Sequence, residues 1–226
     1  MSEIVDEEKV IESEVETIID QGRVISFSDA VFAFAATLLV LKIDIPQLSG
    51  VDLDGQLISS LYNMWPQYFA NLVSFLVIGY YWLSHHIIFG LIKRFNRTVV
   101  WLNILFLITL SFLPFPVDLY GDYYNVPSVV VFYSFSLSIV GLMLSVIWLY
   151  ASHNNKLIDK KMSARRVRFF SLKLLIAPFV FAAAIPLIYI HPILVQAAWL
   201  FVILGVFVVN KAFGYKHIST KNDIGI

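Results

Sequence analysis

GRVISFSDAVFAFAATLLVLKIDIP, Gly22–Pro46, is the stretch whose reading decides the fold. From about Val24 to Ile43 it is apolar for long enough to cross a hydrocarbon layer of about 30 Å, which takes about 20 helical residues. Yet it opens on Arg23 and carries Asp29 six residues further in. On a helix, Asp29 lies about 9 Å along the axis from Arg23 and about 240° around it, so the two do not share a face. They cannot readily pair within their own helix. A carboxylate at that depth is costly unless it is wetted or partnered. Asp29 must therefore line water or be held by groups from other helices.

The rest of the chain has the same character. It is 226 residues long, 59% hydrophobic and only 14% charged, too few charges to cover a soluble domain of this length. The composition implies an all-α integral membrane protein. Zero cysteines exclude disulfides, thiolate metal sites and cysteine nucleophiles. Five further apolar segments follow the first, at about Ile58–Leu83 (extending to Ile92), Val99–Leu119, Val126–Tyr150, Phe169–Ile190 and Ile193–Phe213. The last two form a hairpin around YIHP. Pro66, Pro114, Pro178 and Pro186 lie inside or near helix ends and are placed to kink them. In the fourth segment Ser134, Ser138, Gly141 and Ser145 make a small-residue stripe suited to close helix approach. Trp65, Trp101 and Trp148 read as belt residues at the membrane surfaces.

Charge sets the orientation. With the N-terminus in the cytoplasm, Lys93, Arg94, Arg97, Lys156, Lys160, Lys161, Arg165, Arg166, Arg168, Lys211, Lys216 and Lys221 all face inward. Only Lys42 remains outside, among Asp44, Asp52, Asp54, Asp118 and Asp122. Six spans with both termini cytoplasmic satisfy this alternation. Residues 1–21 form an acidic cytoplasmic tail holding all six glutamates, with spacing suited to a short amphipathic helix or a solvated tail, and no signal peptide is read there. Residues 22–214 are the six-helix domain and 215–226 a cytoplasmic C-terminal tail.

Partners for Asp29 are to be sought at the cytoplasmic end of the bundle. There the second segment ends in YYWLSHH, with Trp82, Ser84, His85 and His86, and the third begins with VVWLN, with Asn103. Indole, imidazole and amide groups can all donate to a carboxylate. A buried polar cluster of Arg23, Ser28, Asp29, Trp82, one of the two histidines and Asn103 is expected to tie the first three helices together, chiefly as a scaffold. Beyond Asp29 the first helix carries two stripes. One is Phe27, Val31, Phe34, Leu38 and Leu41. The other is Ser26, Ala30, Ala33 and Thr37. Periodicity alone reads both as buried against neighbours or lipid, and leaves open which stripe would face a pathway.

RVISFSD, with Arg23, Phe27, Ser28 and Asp29, resembles the signature of the transmembrane-protein-175 family of potassium channels. NMWPQYFANLVSF, YWLSHH and WLNILFLITLSFLPFP follow in order, and the similarity to single-repeat prokaryotic members covers most of residues 22–120. The resemblance implies a homotetramer in the cell membrane that conducts K⁺ passively through a central pore lined by the first helix. It implies an apolar gate at Phe34, Leu38 and Leu41, with Thr37 at the position linked to selectivity. The family usually has an aliphatic residue where Phe34 stands, and Ala33 offers no hydroxyl beside Thr37. No TVGYG-like filter loop occurs. The implied partners are the bilayer, monovalent cations and other copies of the chain; no cofactor beyond permeant K⁺ and no nucleic acid is expected.

Two other classes compete. A secondary transporter would use Asp29 with His85 and His86 as a proton-coupled pathway, but the expected midplane polar site and internal repeat are not evident. A membrane enzyme has less to stand on. Adjacent histidines diverge by about 100° on a helix and cannot readily chelate one ion. No His-Glu-x-x-His or Gly-x-Ser-x-Gly motif occurs. His153, His191 and His217 read as loop or membrane-surface histidines, and the chain is not expected to be an enzyme.

Overall fold

The computed structural model describes residues 20–41 and 43–213. Nearly all of the acidic tail lies outside those residues, as do Lys42, Lys216, His217, Lys221 and the tail 215–226. Nine α-helices are described: α1 Gln21–Val40, α2 Leu53–Asn63, α3 Trp65–Leu91, α4 Arg97–Phe112, α5 Pro114–Tyr123, α6 Pro127–Ser152, α7 Ala164–Ala184, α8 Pro192–Trp199 and α9 Phe201–Ala212. They supply six spans long and apolar enough to cross a membrane, with α4–α5 and α8–α9 each serving as one broken span. Short 3₁₀ turns at His153–Asn155 and Ile185–Tyr189 complete the connections. The protein is a multi-pass integral membrane protein.

Prolines set several of the breaks. The second span starts at Trp65 rather than near Ile58, and Ile58 belongs to the separate helix α2, which buries no residue. Pro66 has no N–H to return to Tyr62, so the ladder stops at Met64 (φ −79°, ψ 6°) and restarts through Gln67 and Tyr68. Pro114 similarly separates α5 from α4, and Pro186 closes α7 into a 3₁₀ turn. Pro178 stays inside α7.

The core is built around α6, which buries residues along its whole length and packs most extensively on α7, with α4 and α5 on other sides. The small-residue stripe lies in these contacts. Ser138 Oγ donates to the Pro178 carbonyl at 2.8 Å, and Tyr81 of α3 donates to the Leu137 carbonyl at 2.8 Å. Trp148 is not a belt residue. It is fully buried and its indole N–H donates to Ser171 of α7 at 3.0 Å, which satisfies the polar end that would otherwise seek the membrane surface. Trp65 and Trp101 remain exposed.

Side-chain and backbone ties sort the helix ends into two levels. At one, Gln21 donates to the Phe89 and Ile92 carbonyls, Lys93 N–H donates to Leu157, and Arg165 donates to the Phe213 carbonyl. This level carries nearly all the basic residues. At the other, Gln67 bonds Asp44 and Asp122. Helix α1 leans on α3, α4 and α5 along one side.

The α3–α6–α7 contact gives a paired prediction. A Cβ on Gly141 would sit 2.6 Å from Tyr81 Oη and 2.9 Å from Pro178 Cδ, whereas one on Gly79 would meet nothing within 4 Å. Gly141→Ala should destabilise the protein by about 1–3 kcal/mol through overpacking, and Gly79→Ala should be neutral or slightly stabilising. Unfolding temperatures of the two variants in detergent check this.

Candidate functional site

The candidate site is α1, and its character comes from how the helix is held. Asp20 caps it by accepting the Gly22 N–H at 2.8 Å. Its buried side is Ser28, Phe32, Ala35 and Leu39, a run spaced four, three and four that keeps to one helical face. Neither stripe picked out from the sequence is this seam. Phe27, Phe34 and Leu41 are 60%, 62% and 77% exposed. Ser26, Ala30, Ala33 and Thr37 are also exposed, while Val31 and Leu38 are half-buried at the edge of the seam. Both stripes thus belong to one broad face that no other part of the described subunit covers.

Polar groups fix which way that face turns. Ser28 is fully buried. Asn103 of α4 donates from Nδ2 to Ser28 Oγ at 2.9 Å, and Ser28 Oγ donates to the Val24 carbonyl at 2.9 Å. With its amide N–H₂ so used, Asn103 presents Oδ1 to His85 Nε2 of α3 at 3.0 Å, and His85 is the donor. The imidazole is enclosed by rings: Phe89 stacks at a centroid distance of 3.9 Å, Phe106 at 5.6 Å, and Phe32 of α1 meets it edge-on at 5.5 Å.

Asp29, one residue on from Ser28, points to a different place. Its Oδ1 accepts from the Trp82 indole N–H at 2.9 Å. The structure therefore resolves the expected cluster into two. Ser28, Asn103 and His85 form a buried relay, and Asp29 with Trp82 forms a half-exposed pair. His86 joins neither by hydrogen bonding and lies with its ring 5.9 Å from that of Trp82. Arg23 departs from expectation: it is exposed, on the uncovered face, and pairs with no acid among the described residues. Its place at the first turn of α1, about 120° of wheel angle from Asp29, turns it away from the cluster. Thr37 donates its hydroxyl back to the Phe34 carbonyl at 2.9 Å, which leaves its oxygen lone pairs directed off the helix.

The family whose model is described as the endosomal/lysosomal potassium channel TMEM175 matches residues 23–114. A potassium channel of Streptomyces collinus is 35% identical over 155 residues, covering 66% of this chain and 73% of that protein. This chain belongs to the TMEM175 family. A second relative, a potassium channel of Chamaesiphon minutus, is 37% identical over 151 residues, covering 66% of this chain and 74% of its own length. Among solved structures, a lysosomal potassium-selective channel TMEM175 homologue from Chamaesiphon minutus superposes with a TM-score of 0.72 at 29% identity, covering 84% of this chain and 98% of that one. The TMEM175 match runs from Arg23 through Pro114, so it contains every residue of the relay, the Asp29–Trp82 pair and the uncovered face of α1.

Removing the centre of the relay should be the costliest polar change here. Asn103→Leu strands the buried His85 Nε2 and leaves Ser28 Oγ only its bond to the Val24 carbonyl, and should cost about 1–3 kcal/mol. Trp82→Phe removes one half-exposed bond and should cost about 1 kcal/mol or less. Thermal unfolding in detergent, compared across the two variants, checks the order.

Proposed function

We propose that this chain is a passive potassium-permeable channel of four identical subunits, with α1 lining a central pore and both termini in the cytoplasm. The observation that carries the reading is the uncovered face of α1. Large apolar side chains stand exposed on a helix whose opposite face is locked by the buried relay. A helix turned by chance toward lipid needs no such lock. The sidedness follows from charge, with basic residues at the α1 N-terminal level and acids at the other.

In this arrangement Phe34, Leu38 and Leu41 meet their copies around the axis and make the constriction. A ring of apolar side chains can gate by dewetting and needs no carbonyl filter. Thr37 is the polar position among them, and its outward lone pairs can replace part of a cation's hydration shell. Asp44 and Asp122 at the outer end raise the local cation concentration, an effect that salt weakens over a Debye length of about 10 Å at 0.1 M. The relay and the Asp29–Trp82 pair serve as the scaffold that aims the helix. The rival reading, proton-coupled transport through Asp29 and His85 or His86, has less support: Asp29 bonds Trp82 and His85 bonds Asn103.

The test is ion flux into liposomes holding the purified protein, under K⁺, Na⁺ and pH gradients. Wild type should pass K⁺ down its gradient without saturating and without a proton gradient. Phe34→Ala should raise the flux several-fold by relieving the apolar barrier. Unchanged conductance with Phe34, Leu38 and Leu41 all replaced by Ala overturns the pore assignment.

A further inference from the structure

At the outer end of the bundle one side chain gathers three elements. Gln67, in the first turn of α3, donates from Nε2 to Asp44 Oδ2 and to Asp122 Oδ1, each at 3.0 Å. Its Oε1 accepts the backbone N–H of Asp44 at 3.3 Å. Both amide hydrogens and the amide oxygen are thus committed, to the linker after α1 on one side and to the end of α5 on the other. A neutral primary amide suits the task. It offers two donors about 120° apart and adds no third charge between two carboxylates.

The backbone is shaped to this contact. A Cβ on Gly121 would lie 3.0 Å from Gln67 Cγ and 3.3 Å from Gln67 Cα, so α5 approaches α3 here as closely as a glycine permits. The three residues line an open polar cavity of about 780 Å³ together with Ser60, Asn63 and Tyr124.

The clasp matters because of what lies between it and the inner ties. Between Asp29 and Asp44, α1 and its continuation hold to the subunit through the apolar contacts of Phe32, Ala35 and Leu39, and no side-chain hydrogen bond to another helix intervenes among the described residues. That stretch contains Phe34, Thr37, Leu38 and Leu41, and Asp44 follows Leu41 by three residues. We infer that Gln67 is a positioning residue for permeation: by clasping Asp44 to Asp122 it fixes the outer end of α1, and with it the approach of Leu38 and Leu41 to the pore axis. The inference rests on the α1-lined pore proposed above.

The experiment reads the K⁺/Na⁺ permeability ratio from bi-ionic reversal potentials of the full chain in planar bilayers, a quantity independent of how many channels are folded. Gln67→Met keeps the length of the side chain and removes all three bonds. Asp44→Ala removes one arm of the clasp from an exposed linker and decides the matter if Gln67→Met fails to assemble. Leu41→Ala tests the underlying pore. With the oligomer intact by size-exclusion chromatography, the clasp variants should shift the ratio by about threefold or more, the scale on which losing a hydrogen bond moves a two-state population. If Leu41→Ala shifts the ratio while the clasp variants leave it at the wild-type value, lowering only the melting temperature or the total current, the clasp is structural and the inference is overturned. If Leu41→Ala itself has no effect, the pore reading fails and the clasp's role in permeation fails with it.

Discussion

Everything about α1 depends on the hydrogen bond between Asn103 and Ser28. In hydrocarbon, apolar surface gains little by leaving lipid for a neighbouring helix, so packing alone does not choose which face of an apolar helix turns inward. A buried hydroxyl with a partner on another helix does choose. Ser28 points to α4 and, through Asn103, to His85 of α3; Asp29 points to Trp82 at another position on α3. Adjacent residues on a helix diverge by about 100°, so two bonds in two directions fix the rotation of α1 about its own axis. Turning the helix by one residue would strand both groups and carry Phe34 toward the seam.

Enclosing the relay in aromatic rings makes the choice stringent. Phe32, Phe89 and Phe106 exclude water and lipid from His85, so the Asn103 contact has no competitor. In a low-dielectric setting a satisfied bond is strong and an unmade one expensive. Phe32 comes from α1 itself, so the helix supplies part of the wall that keeps its own anchor dry. The seam continues through Ala35 and Leu39, apolar contacts that follow the orientation set by Ser28.

The sequence made the architecture legible but not the sidedness of its first helix. Six spans, the helix-breaking prolines and the grouping of Ser28, Asp29, Trp82 and Asn103 follow from hydropathy and from the cost of a carboxylate in lipid. Periodicity did not single out the Ser28, Phe32, Ala35, Leu39 seam, because the Phe27 stripe is at least as apolar and the Ser26 stripe also begins on a serine. Starting from Ser28 as an inward polar anchor and stepping by four, three and four would have found it. Trp148 reads as a belt residue until Ser171 is seen to take its N–H, and that pairing spans two helices. The choice of His85 over His86 depends on which face of α3 turns inward, since His85 is buried and His86 exposed. The Gln67 clasp joins residues 23 and 55 positions apart, and a glutamine after Trp-Pro carries no periodic signal at all.

Held this way, α1 is a lever rather than a uniform wall. From Ser28 to Leu41 the helix rises about 20 Å, with firm polar ties at its lower end and only apolar contacts above them until the Asp44 clasp. A rod of that length pivoting at its base by about 5° carries its far end sideways by about 1.7 Å, and in the proposed pore of four subunits such a tilt changes the width of the constriction by twice that. A change in width of that size acts on whether an apolar ring is wetted or dry. On the proposed reading, then, the chemistry of Phe34, Leu38 and Leu41 makes a barrier possible. Its height is decided at the two ends of the lever, by the relay that sets the helix's rotation and by the carboxylates that hold its tip.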